Sequence, residues 1–152
     1  MTGTFFAILG VAIATVLAGI GSAKGVGKAA QTAMGVLSED SSKFGKMLVL
    51  MLLPGTQGLY GFIVGFLILT STVMGGNSPD LATGLYYCAA ALPIGIGGMF
   101  SAFAQGNAAV SGIALTAKDD SNFSKAMVSI TLVEIYALLA FIVSLLTVLN
   151  IG

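Results

Sequence analysis

The chain has 152 residues, of which 57% are apolar and 8% charged, with mean hydropathy +1.02 and no net charge. A soluble domain carries about 25% charged residues, so six Lys and six acidic residues cannot cover a water-exposed surface, and the solvent of this chain is lipid. The zero balance also excludes a basic nucleic-acid surface, the absence of His excludes imidazole catalysis and His-ligated metals, and the lone Cys88 allows neither an internal disulfide nor a thiolate cage.

Four apolar stretches follow one another: 4–36, 47–73, 81–117 and 126–150. Each exceeds the roughly 20 residues that a helix needs to cross hydrocarbon, and none alternates with the period of two that a barrel strand requires. The fold class is therefore all-α, with four transmembrane helices. No Lys or Arg precedes residues 5–23, so the first stretch predicts a retained helix, not a cleaved leader. Polar or Gly/Pro-containing links around 38–45, 75–80 and 118–124 divide the chain into two helical hairpins, 1–76 and 77–152. All six Lys lie beside the 1–2 and 3–4 links or on the helices leading into them. The positive-inside rule then places both Lys-bearing links in the cytoplasm and both termini outside a cell membrane.

The hairpins are copies of one another. Ala23-Lys24-Gly25 matches Ala104-Gln105-Gly106 at an offset of 81, while Phe44 and Lys46 match Phe123 and Lys125, and Phe62-Ile63-Val64 matches Phe141-Ile142-Val143, at 79. Glu134 falls opposite Gly55, so two similar hairpins carry one membrane carboxylate between them. Twelve of the twenty-one residues 10–30 are Gly, Ala or Ser, against five of the twenty-six residues 125–150. Small residues at spacing four (Gly21, Gly25 and Ala29; Gly97, Ser101 and Ala109) let backbones approach closely in lipid. Helices 1 and 3 should therefore form the tight layer, and helices 2 and 4 the bulky, lipid-facing one.

Glu134 lies nine residues after Lys125, about 13–14 Å into the bilayer at 1.5 Å per residue. A charge at that depth costs at least ~2.5–3.5 kcal/mol and marks a functional site by default; the competing reading is a protonated, hydrogen-bonded structural Glu. On helix 2, Leu53, Thr56, Gln57 and Tyr60 share one arc of about 100°, and Pro54 frees a carbonyl one turn back. A kinked helix that offers carbonyl, hydroxyl and amide oxygens on one face suits a hard cation, and helix 3 adds Gln105. Alternatively, Thr56 bonds its own helix and the two Gln tie helices together.

Four segments carry a resemblance that covers nearly the whole chain: Gly21-Ser22-Ala23-Lys24-Gly25-Val26-Gly27, Leu53-Pro54-Gly55-Thr56-Gln57-Gly58-Leu59-Tyr60-Gly61, Ala104-Gln105-Gly106 and Val133-Glu134-Ile135-Tyr136-Ala137. They resemble the proteolipid (K or c) subunit of prokaryotic V-type, or A/V-type, rotary ATPases. The resemblance implies a homo-oligomeric rotor ring with helices 1 and 3 inside and helices 2 and 4 outside. It implies a Na⁺ site in which Glu134 supplies the carboxylate, Thr56 a hydroxyl, Gln57 and Gln105 amide oxygens and Leu53 its carbonyl, while Tyr60 bonds Glu134 and holds the site shut. It also implies partners: identical subunits, a stator membrane subunit, central-stalk subunits and membrane lipid, with no nucleic acid. The chain has no Walker A motif, so it is expected to be a non-catalytic subunit, with ATP hydrolysed or made elsewhere in the complex. Two alternatives stay open: a proton-translocating ring of the same family, and a small four-helix transporter working by alternating access.

Overall fold

The computed structural model describes residues 2–151. They form four long helices: α1 (Thr2–Glu39), α2 (Ser41–Ser71), α3 (Leu81–Lys118) and α4 (Asp120–Leu149). Each is long and apolar enough to cross a membrane, and the described residues contain no strand.

The helices run further into the polar segments than the hydropathy boundaries suggest. The 1–2 and 3–4 links shrink to Asp40 and Asp119, and the reason is local capping. Both residues are extended, at φ −142°, ψ 94° and φ −154°, ψ 119°. The Asp40 carboxylate accepts from the Ser42 N–H at 3.0 Å and its hydroxyl at 2.6 Å; Asp119 accepts from the same two groups of Ser121 at 2.9 and 2.8 Å. One residue thus ends one helix and caps the next, through short 3₁₀ turns at Ser41–Lys43 and Asp120–Asn122. The Ser42 hydroxyl, then its N–H, holds the Asp40 carboxyl below its ordinary value of 3.8; for Asp119 the Ser121 N–H is the larger cause. The longer 2–3 link turns at Gly76, whose φ of +71° lies in the left-handed region that favours glycine. Asp80 then caps α3 by accepting from the Thr83 N–H at 2.8 Å.

α1 and α3 pack along their whole length, and their small residues make this possible. A Cβ at Gly21 would stand 2.6 Å from the Met99 Cα, and one at Gly106 would stand 2.6 Å from the Gly25 Cα. Lipid tails are as apolar as Leu, so close van der Waals contact holds these helices together, not exclusion of water. α2 packs on α1, where Gly61 faces Ala14 and Ala18, and also touches α3 and α4, while α4 packs on α3. This is the duplicated hairpin, with a small-residue pair of helices and a bulky pair. The bulky pair leaves Leu59, Phe62, Leu132, Leu139 and Leu146 among its exposed residues.

Two features were not expected. α1 and α3 each carry a π turn, Ile13–Leu17 and Pro93–Gly97, and the two face each other. Pro93 accounts for the second, since it cannot donate to the ladder; the next N–H, of Ile94, instead donates to Ser144 Oγ of α4 at 3.1 Å. At the link end, Lys46 pairs with Asp120 at 2.7 Å, and Lys43 lies 3.5 Å from the same carboxylate while donating to the Ala117 carbonyl at 2.7 Å. The two hairpins are thus clamped together.

Candidate ion-binding site

Glu134 sits midway along α4, and its side chain is buried, with 8% of the residue exposed. Tyr60 of α2 donates its hydroxyl to Oε1 at 2.7 Å, and Gln105 of α3 donates its amide nitrogen to Oε2 at 2.9 Å. Both oxygens of the carboxyl group are therefore hydrogen-bonded. Among the described residues no Lys lies within ion-pairing distance of it. A buried carboxylate with donors but no counter-charge is costly, and a bound cation would remove that cost.

The surrounding oxygens come from one bend in α2. Leu53–Gly55 is a 3₁₀ turn that begins at the residue before Pro54. The Leu53 carbonyl is already occupied. It accepts from the Thr56 N–H, and from Thr56 Oγ1 at 3.1 Å. Thr56 Oγ1 also lies 3.4 Å from Gln57 Oε1. Gln57 is fully buried and donates its amide nitrogen to Gln105 Oε1. Gln105, equally buried, also donates to the Ile130 carbonyl at 3.2 Å.

All six residues singled out in the sequence, Leu53, Thr56, Gln57, Tyr60, Gln105 and Glu134, thus meet in one connected network. The contact that a cation would replace is the one between the two Gln side chains. Turning the Gln57 amide over would set its oxygen against Gln105 Oε1, and two such oxygens repel unless a positive ion lies between them. The donor set then holds one carboxylate and four neutral oxygens. One negative charge balances a monovalent cation and leaves a divalent one uncompensated in a dry site. All donors are hard oxygens, which suits an alkali ion.

Several positioning contacts were not legible beforehand. Ser22 of α1 accepts from the Gly58 N–H at 2.8 Å and so ties α1 to α2 beside Gln57. Ser101 of α3 donates to the Val133 carbonyl at 3.1 Å, next to Glu134. Ser22 and Ser101 stand 79 residues apart, so the repeat carried the signal. Phe141 stacks on Tyr60, with ring centroids 5.1 Å apart, and fixes the phenol over the carboxylate. Lys24 takes no part: its ammonium lies over the Phe103 ring, 5.5 Å from the centroid, on the far side of α1 and α3.

The family model for the C subunit of ATP synthase matches residues 9–68 and again 88–147. The V-type sodium ATPase subunit K of Enterococcus hirae is 45% identical over 97% of this chain and 93% of its own length. The A-type ATP synthase subunit K of Methanocaldococcus jannaschii is 39% identical over 94% of this chain and 61% of its own. The 16 kDa proteolipid of the human V-type proton ATPase is 26% identical over 94% of this chain and 90% of its own.

Proposed function

Because this chain belongs to the ATP synthase C-subunit family, we propose that it is a rotor subunit of a V-type ATPase that carries Na⁺ across the membrane, one ion at Glu134 of each copy. The observation that supports this best is the network around Glu134: a buried carboxyl group with no basic partner, linked to four neutral oxygens. A proton bound to Glu134 needs no shell of that kind, so Leu53, Thr56, Gln57 and Gln105 favour Na⁺ over H⁺. The 45% identity to a chain named as a sodium ATPase subunit points the same way.

Loaded with Na⁺, the site is neutral and faces lipid at small cost; empty and ionised, it is not. The loaded ring therefore turns through the bilayer, while an empty site stays beside a stator subunit whose cation favours release. Tyr60 holds the loaded carboxylate in place during the turn. Other subunits hydrolyse or make ATP, and a central stalk grips the links at Asp40 and Asp119. The Lys distribution puts those links in the cytoplasm and both termini outside.

The test is ATP hydrolysis by the assembled complex in membranes at fixed pH, with and without Na⁺. Native complex should require Na⁺. Gln57→Leu with Gln105→Leu should abolish the requirement or the activity. Hydrolysis that stays coupled and indifferent to Na⁺ in both forms would leave a proton-carrying ring instead.

A further inference from the structure

The network around Glu134 draws its side chains from α2, α3 and α4, but the bend in α2 rests on α1. Pro54 lies over Gly25, where an added Cβ would stand 2.8 Å from the proline Cβ, and Gly55 lies over Val26. At Gly58 an added Cβ would stand 3.2 Å from both the Cβ and the Oγ of Ser22. The Gly58 N–H donates to that Oγ at 2.8 Å, and Ser22 is buried. An uninterrupted helix would give this N–H to the carbonyl four residues back, that of Pro54. Here the 3₁₀ step at Leu53–Gly55 comes just before it, and the Leu53 carbonyl is taken by the Thr56 N–H and hydroxyl. Ser22 supplies an acceptor from outside the helix, where hydrocarbon offers none.

The repeat shows that this contact is particular to the bend. Ser101 is the counterpart of Ser22, 79 residues on. α4 is a continuous α-helix over Phe123–Leu149, and there the Ser101 hydroxyl donates to the Val133 carbonyl at 3.1 Å. The counterpart of Val133 is Pro54. In the first hairpin the serine therefore stands beside the same rung of the ladder, but it accepts from an N–H instead of donating to a carbonyl. The reversal occurs where proline and the 3₁₀ step interrupt α2, at the residue that follows Gln57.

We propose that Ser22 is a positioning residue for the cation: its bond to Gly58 holds the backbone from Leu53 to Gln57 in the shape that spaces the Leu53 carbonyl, the Thr56 hydroxyl and the Gln57 amide for Na⁺. This role deepens the Na⁺ reading and rests on it. Without the hydroxyl, the Gly58 N–H is drawn back to the Pro54 carbonyl, the bend relaxes toward a regular helix, and the three oxygens shift together. A cage held at one size discriminates between ions by radius, and a yielding one does so less. Ser22 therefore acts on affinity and on ion choice, although it touches no ion.

The test is carbodiimide labelling of Glu134 in the purified full chain, in detergent at fixed pH, titrated with Na⁺ and separately with Li⁺. In Ser22→Ala the Na⁺ concentration that half-suppresses labelling should rise roughly two- to tenfold, the equivalent of one neutral hydrogen bond. The ratio of the Li⁺ and Na⁺ values should move toward one. Ser144→Ala is the comparison. It also removes a serine that accepts an inter-helix N–H, from Ile94 at 3.1 Å, but ten residues from Glu134, about 15 Å along α4. It should lower the melting temperature as Ser22→Ala does and leave both ion titrations unchanged. Ser22→Cys keeps the size of the side chain with a weaker acceptor, and should fall between the native chain and Ser22→Ala. Equal shifts in Ser22→Ala and Ser144→Ala, no shift in Ser22→Ala, or loss of the folded chain in both Ser22 variants would overturn the proposal and leave Ser22 a packing residue. Labelling of the native chain that ignores Na⁺ would remove the Na⁺ reading itself, and the role of Ser22 with it.

Discussion

Tyr60→Phe isolates the latch on Glu134. The substitution removes one oxygen, the donor 2.7 Å from Oε1, and leaves the ring on which Phe141 stacks at 5.1 Å. The packing of α2 against α4 is therefore preserved, and only the hydrogen bond is lost. A hydrogen bond to a charged group contributes about 1.5–3 kcal/mol, and about 1.4 kcal/mol is tenfold in an equilibrium constant. If that bond stabilises the closed, loaded site and is broken when the site opens, affinity for Na⁺ should fall roughly ten- to hundredfold. The assay is the Na⁺ concentration that half-saturates ATP hydrolysis by the assembled complex at fixed pH, with ring integrity checked by native mass. An unchanged half-saturation in an intact ring would refute the latch, and Tyr60 would then serve packing alone.

Further outcomes follow from the same geometry. Gly61→Ala should loosen the first hairpin, because the added methyl meets the Ala14 carbonyl and stands 2.6 Å from the Ala18 Cβ; overpacking of this kind costs about 1–3 kcal/mol. Gly45→Ala, with nothing within 4 Å of its new Cβ, should be neutral or stabilising, and thermal unfolding in detergent separates the two variants. Asp40, Asp80 and Asp119 are held below 3.8 by their capping hydrogen bonds, so the folded chain binds fewer protons than the unfolded one. Their contribution is complete above the ordinary carboxylate range and is lost as pH falls through the depressed values. The melting temperature should drop on acidification below about pH 4, and less so in Asp119→Asn.

The four helices and their pairing were legible because lipid demands long apolar runs and leaves few places for twelve charges. The helix ends at the 1–2 and 3–4 links were read short, since hydropathy counts Ser38, Glu39 and Lys43 as link, whereas Asp40 and Asp119 cap through single residues and let the helices continue; α2 ends two residues before the expected 73. The π turn at Ile13–Leu17 had no signal of its own; only its repeat, marked by Pro93, could have revealed it. Leu53, Thr56, Gln57, Tyr60 and Gln105 join one hydrogen-bond network with Glu134; their depth and helical phase were legible from spacing, and their meeting at one ion site was implied by the resemblance. The state of the Leu53 carbonyl was not readable. A proline shows which donor is missing, but not how the 3₁₀ turn redistributes the acceptors. Ser22 and Ser101 were missed for a related reason: a serine in a small-residue stripe reads as packing until its partner across the helix is known.

The central claim is that Na⁺ occupies the site at Glu134. The direct measurement is carbodiimide labelling of the purified chain in detergent, at fixed pH, across a Na⁺ titration. Carbodiimide attacks a protonated carboxyl in an apolar setting, which Glu134 offers only when no cation holds it ionised. Labelling confined to Glu134, suppressed saturably by Na⁺ and no longer suppressed in Gln57→Leu, is the expected result. Labelling that follows pH and ignores Na⁺ would contradict it and make this rotor a carrier of protons.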